Sequence, residues 1–150
     1  MGDALDIRYE SASEDDKHYF HALNRACYEE VIERQFGPWD EDHQNGTFEI
    51  KWPTQNFRKI FVEDALVGGV WIDDAPDFVQ LREIQIHPDY QGRGIGTEVI
   101  RQELADAHAQ GKRVRLRVLF QNHARRLYER LGFAVVDRND HQYVMECAPP

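Results

Sequence analysis

The sequence predicts an α/β fold built on one mixed sheet, and three observations lead there. Hydrophobic spacing along the chain switches repeatedly between the two-residue period of strands and the longer period of helices. Three glycines, Gly92, Gly94 and Gly96, stand between the end of a strand pattern, Ile84-Gln85-Ile86, and a run with helical spacing, Ile95, Val99, Ile100, Leu104 and Ala107. The length, 150 residues, fits one domain spanning 1–150.

Leu5, Ile7 and Tyr9 alternate with charged residues and predict a first strand. Ser13, followed by Glu14, Asp15 and Asp16, predicts a helix start. That helix should run through Phe20, Leu23, Asn24, Cys27 and Val31 until Gly37-Pro38 breaks it. Asp40 caps a second helix, expected to be short because Asn45-Gly46 intervenes. Three strands follow: Arg58 to Glu63, Leu66 to Asp73 and Phe78 to Ile86. Asp64-Ala65 is the first turn between them, and Gly68-Gly69 marks a bulge. The helix after the glycines should end at Gly111. Val114, Leu116 and Val118 predict a strand, and Asn122 caps a helix with Ala124, Leu127, Tyr128 and Leu131 on one face. Phe133 to Val136 and Gln142 to Cys147 form a closing hairpin around Asn139-Asp140. This order of elements gives an α/β chain with a mixed sheet.

Composition narrows the function. No apolar run is long enough to span a membrane, and the acidic start, Met1 to Asp6, is unlike a signal peptide. Cys27 and Cys147 have no metal-ligand spacing and form no disulfide framework. No metal site and no membrane partner are expected, and the default location is the cytoplasm. The net charge of −9 argues against nucleic acid as a partner. Residues 1–50 hold 13 acidic and four basic side chains, whereas residues 91–130 hold nine basic and four acidic ones. Arg93, Arg101, Lys112, Arg113, Arg125 and Arg126 could therefore face a polyanion beside the glycines.

The stretch Gln91-Gly92-Arg93-Gly94-Ile95-Gly96-Thr97 has the physics of a phosphate seat. The first turn of a helix offers backbone N–H groups with no intrahelical acceptor, at the positive end of the helix dipole. Glycine lets a ligand approach them closely. A P-loop would need Lys followed by Ser or Thr after its last glycine, which is missing here. A dinucleotide fingerprint would need glycine where Thr97 stands. The pattern Q/R-x-x-G-x-G/A is met by Gln91, Gly94 and Gly96. This loop resembles the pyrophosphate loop of the GNAT superfamily of acyl-CoA-dependent N-acetyltransferases. A second block, Asn122-His-Ala-Arg-Arg-Leu-Tyr-Glu-Arg-Leu-Gly-Phe133, is similar to that family's N-x-x-A-x-x-L-Y-E-x-x-G-F segment. The resemblance covers about half of the chain, from near Leu81 to the C-terminus.

The resemblance implies a GNAT-like fold: a mixed, mostly antiparallel central sheet flanked by helices and splayed at its central strands. It implies acetyl-CoA as co-substrate, held by Gln91, Gly92, Arg93, Gly94, Ile95, Gly96 and Thr97. It also implies that backbone groups of Ile84, Gln85 and Ile86 face the thioester, and that Asn122 meets the pantetheine arm. Tyr128 matches the tyrosine that in the family lies by the coenzyme A sulfur, and a phenol can protonate a departing thiolate. For the base, Glu83 leads, because a carboxylate among apolar neighbours has a raised pKa. His141, at the final hairpin, and water are the alternatives. Glu83 could equally be a structural carboxylate paired with an arginine.

The acceptor should be met by residues 20 to 55, where aromatics and acids concentrate. Phe36 and Trp39, at the Phe36-Gly-Pro-Trp-Asp40 turn, and His141 are the substrate-side candidates. Acids and aromatics together attract cations, so the expected acceptor is a primary amine of a small, cationic molecule or a peptide, attacked directly. The runner-up is a non-catalytic acyl-CoA-binding or regulatory module on the same fold. Many members of the family pair as homodimers, and the resemblance leaves both monomer and homodimer open.

Overall fold

The structure, a computed structural model, describes residues 5–150. Among these residues, seven strands form one sheet in the order β1-β2-β3-β4-β5-β7-β6. They are β1 (Ile7–Ser11), β2 (Phe57–Val62), β3 (Ala65–Asp74), β4 (Phe78–Ile86), β5 (Arg113–Leu119), β6 (Ala134–Arg138) and β7 (Gln142–Cys147). Only β4 and β5 run parallel, so the sheet is mixed and mostly antiparallel.

Among the described residues, four α-helices cover it: α1 (Lys17–Phe36), α2 (Glu41–Lys51), α3 (Ile95–Ala109) and α4 (Ala124–Arg130). The two faces of the sheet carry different cores. On one, Val99, Ile100 and Leu104 of α3 pack with Ile60, Val70 and Val114 of the strands. On the other, Phe20 and Leu23 of α1 pack with Phe48, Trp52 and Phe57. Among the described residues, no helix is long and apolar enough to cross a membrane.

One expected helix end and one expected turn change. The second helix does not stop at Asn45-Gly46 but continues to Lys51. Phe48 is the reason: it is buried and stacks on Trp52, and that contact requires the helix to pass through Gly46. Tertiary burial here outweighs the cost of about 1 kcal/mol for a glycine inside a helix. The β2–β3 turn is Glu63-Asp64, both at positive φ, rather than Asp64-Ala65. Such a pair is the geometry of a tight two-residue hairpin turn.

Gly68 and Gly69 sit where nothing larger fits. A Cβ on Gly68 would stand 2.0 Å from the Gln85 carbonyl oxygen, and one on Gly69 2.3 Å from the Phe20 ring. The bulge in β3 falls beside them, at Val67, because Ile60 pairs with Gly68 and Phe61 with Leu66.

The feature that makes room for a site is the parting of β4 from β5. They pair from Phe78/Arg113 to Leu81/Leu116 and no further. At that point β4 carries a bulge: Ile72 faces Leu81, but Trp71 faces Glu83, leaving Arg82 as the extra residue. A bulge bends its strand and re-aims the side chains beyond it. Val79 and Leu81 face the α3 core, and strict alternation would send Glu83 there too. The bulge turns Glu83 and Gln85 to the α1 face instead, where they meet Tyr28 and Asn24.

Candidate active site

Beyond Leu81, β4 has a neighbour on one side only. The His87 N–H donates to the Val67 carbonyl of β3 at 2.8 Å. Backbone groups alternate along a strand, so those of Ile84 and Ile86 point the other way, into the gap left by β5. The Ile86 carbonyl there accepts from Gln91 Nε2 at 2.8 Å and from the Cys27 thiol at 3.3 Å. Gln85 lies between the two with its backbone toward β3. Its side chain is buried and donates to Asn24 Oδ1 at 3.2 Å. Of the three strand residues, Ile84 and Ile86 line the gap.

The glycine loop closes one end of this gap. Gly92 and Gly94 have φ of +77° and +82°, which L side chains rarely adopt, and Gly94 is the N-cap of α3. A Cβ on either would meet nothing within 4 Å. Glu98 is the first residue of α3 whose N–H reaches back to a carbonyl of this turn, at Gly94. The N–H groups of Ile95, Gly96 and Thr97 have no such acceptor among the described residues. Arg93 turns away: its guanidinium lies over Tyr90 and donates to the Asp89 carbonyl at 3.2 Å. Arg130 of α4 lines the cavity in its place. Lys112 and Arg113, at the start of β5, are at the opposite end of the sheet and pair with Asp74 and Glu146.

Two cavities meet in the gap. One, about 440 Å³, is lined by the loop glycines, Ile86 and Leu127. The other, about 340 Å³, lies between α1, α2 and the diverging strands. They share Tyr28, Ile84, Asn122 and Tyr128. Asn122 is held by an Asx turn, its Oδ1 accepting from the Ala124 N–H at 2.9 Å. It therefore stands one residue before the N-cap of α4, which is His123.

The titratable groups at this junction form one cluster. Tyr28 donates its hydroxyl proton to Glu83 Oε2 at 2.5 Å. Burial raises the Glu83 pKa, while Tyr28, Lys51 and Gln85 each pull it back. Burial, together with the Glu83 charge, pushes both Tyr28 and Tyr128 well above an ordinary phenol. Both hydroxyls therefore keep their protons at neutral pH. Cys27 also reaches the first cavity, although it lies outside both sequence blocks. Burial and Glu83 push its thiol up to about 11.

Tyr28 was not singled out by sequence reasoning as a catalytic residue. Its signal was present: Asn24, Tyr28 and Ile32 recur every four residues on α1, next to the buried stripe of Phe20, Leu23 and Val31. Phe36, Trp39 and His141 sit elsewhere. The rings of Phe36 and His141 pack edge-to-face at 5.2 Å, Trp39 lies under the Arg25 guanidinium, and none of the three lines either cavity. Among the described residues, no cluster of His, Cys, Asp and Glu has the makings of a metal site.

Amides without intrahelical partners, at a loop of positive-φ glycines, thus open on a parted parallel strand pair. The sequence profile of the acetyltransferase (GNAT) domain matches residues 56–135, just over half of the chain. The chain belongs to this family and is an acyltransferase whose acetyl donor is acetyl-CoA. No curated protein matches the sequence. Solved structures share the fold throughout. The PaiA N-acetyltransferase of Thermoplasma acidophilum, in complex with coenzyme A, has a TM-score of 0.77 at 18% identity, covering 95% of this chain and 98% of its own. The ribosomal-protein-S18-alanine N-acetyltransferase of Escherichia coli has a TM-score of 0.68 at 17% identity, covering 95% and 94%. An acetyltransferase of Thermus thermophilus has a TM-score of 0.70 at 16% identity, covering 95% and 96%.

Proposed function

We propose that this chain transfers the acetyl group to a primary amine by direct attack, at the junction of the two cavities. One observation carries the reading: Tyr28, Ile84, Asn122 and Tyr128 line both cavities, so two ligands entering from opposite sides would touch there. Holding two reactants in contact removes much of the entropic barrier of a bimolecular step.

The residues fit the donor. The open space at Gly92 and Gly94 and the N–H groups of residues 95–97 suit a diphosphate. The backbone of Ile84 and Ile86 suits the amides of an extended arm, and Asn122 faces the same channel. When bound, acetyl-CoA supplies an acetyl group activated as a thioester. The Ile84 and Ile86 N–H groups supply preoriented donors for a carbonyl oxygen, an effect worth about 3 kcal/mol in comparable sites.

Glu83 takes the proton from the amine, directly or through water. Its raised pKa brings it toward the pH at which an amine must be deprotonated. Tyr28, donating to Oε2, fixes the orientation of the carboxylate. Tyr128 keeps its proton on Oη and is the donor for the departing sulfur. Cys27 is a poor nucleophile, since a thiol with a pKa near 11 holds almost no thiolate at neutral pH.

Initial-rate kinetics with both substrates varied tests the reading. Direct attack gives intersecting double-reciprocal lines and mass-labelled acetyl only on the amine. Parallel lines with acetyl retained on Cys27 would refute it.

A further inference from the structure

We infer that the acceptor carries an anionic group as well as its amine, and that Arg117 and Lys51 receive that group. The inference rests on the reading above and names the class of amine that the second cavity takes.

The charges of the cavity run against those of the chain. The protein has a net charge of −9, yet this cavity is lined by Lys51, Arg82 and Arg117 and by one carboxylate, Glu83. Among the described residues, the acids of residues 5–50 are not there; Glu29, Glu30 and Glu33 line a separate outer hollow with Arg25 and Arg34. The rest of the polar lining is uncharged, with Asn24, Gln55 and Gln142 among it.

The cations differ in what they already hold. Arg82 is bound to Asp73 at 2.7 Å. Along β5, Arg113 and Arg115 both reach Glu146, at 3.2 and 3.0 Å, and lie over the Phe78 ring. Arg117 continues this alternating row, but no ion pair or aromatic contact engages it among the described residues. It is also the first β5 residue past the last pair, Leu81/Leu116, and so faces the opening across which β4 presents Glu83. Lys51, at the end of α2, has no ion pair among the described residues, and its charge is felt by Glu83.

An acceptor with a second positive charge would meet two uncompensated cations beside a single carboxylate. A carboxylate or phosphate on the acceptor meets a guanidinium fork able to bind it through two N–H groups. Its amine is then directed toward Glu83. The cavity, about 340 Å³, suits a molecule of amino-acid size.

The test compares kcat/KM for matched acceptors with acetyl-CoA: β-alanine against β-alaninamide, phosphoethanolamine against ethanolamine, and spermidine as the cationic arm. The anionic member of at least one pair should be favoured about tenfold or more, and which pair wins tells carboxylate from phosphate. Arg117→Gln should lower that ratio about tenfold, chiefly through KM, and Arg117→Lys should restore part of it. Preference for the neutral amines or spermidine, or a ratio untouched by Arg117→Gln, would overturn the inference and leave amine acetylation standing. Turnover of no amine by a protein that binds coenzyme A would instead overturn the parent reading. Calorimetric titration of β-alanine and phosphoethanolamine into the coenzyme A-loaded protein then decides the inference. Binding that weakens in Arg117→Gln supports it, and absence of binding overturns it.

Discussion

The Tyr28 hydroxyl donates to Glu83 Oε2 at 2.5 Å, joining the long N-terminal helix to strand β4 where it parts from β5. This bond lowers a carboxylate pKa that burial raises. Removing it should let burial act with less opposition. Tyr28→Phe should therefore raise the Glu83 pKa, and the rising acid limb of the kcat/KM pH profile should move to higher pH. A limb that stays in place, or moves down, assigns the titration to another group.

Glu83 itself should trade stability for activity. Its folded-state pKa lies above the ordinary carboxylate value. Stability is then greatest below that ordinary value and declines as pH rises toward the folded pKa, because the folded state holds the proton more tightly. Glu83→Gln removes this decline while its amide oxygen still accepts from Tyr28. Its Tm should exceed the parent's at pH 8, and the difference should vanish near pH 4. Its kcat should fall about 100-fold or more. A Tm no higher at pH 8 contradicts the burial argument.

Tyr128→Phe deletes one hydroxyl at the junction and keeps the ring, which packs edge-to-face with Phe133 at 5.9 Å. Turnover should drop about 100-fold with little change in the Kd for coenzyme A. Equal losses in kcat and affinity would make the hydroxyl a binding group and not a proton donor.

Gly94→Leu tests the seat of the donor. The position has φ of +82°, and its Cβ would enter the open space proposed for the diphosphate. Calorimetry should show no coenzyme A binding, and chemical denaturation should show a loss of about 1–2 kcal/mol from the left-handed backbone alone. Retained affinity would remove the loop from the binding site.

Gly68→Ala should act on stability through the strand pair beneath the site. Its Cβ would lie 2.0 Å from the Gln85 carbonyl oxygen, which is backbone and cannot swing aside. A loss of about 3 kcal/mol is expected from such overpacking, measured by urea unfolding. A variant as stable as the parent would show that β3 and β4 can separate freely.

The glycine loop, the α3 stripe and the Asn122–Phe133 block were legible because each is a local pattern in which spacing and chemistry coincide. The parting of β4 from β5 was legible through family resemblance only, since no side chain encodes it. The bulge at Arg82 was not legible: a run of alternating residues looks the same with or without an extra one opposite its partner. Yet that bulge is what turns Glu83 toward Tyr28. The second helix was read too short because burial of Phe48 is a tertiary fact. The acids of residues 20 to 55 were read as cavity lining because charge density was visible and helix facing was not. In the fold, Arg25 and Arg34 hold Glu29, Glu41 and Glu30 on the outer surface.

The most direct measurement is a crystal structure of the protein with coenzyme A. The account predicts the diphosphate on the N–H groups of Ile95, Gly96 and Thr97, the pantetheine arm along Ile84 and Ile86, and the sulfur within hydrogen-bond reach of Tyr128 Oη. Coenzyme A bound outside the β4–β5 gap, or its sulfur turned away from Tyr128 and Glu83, would contradict it.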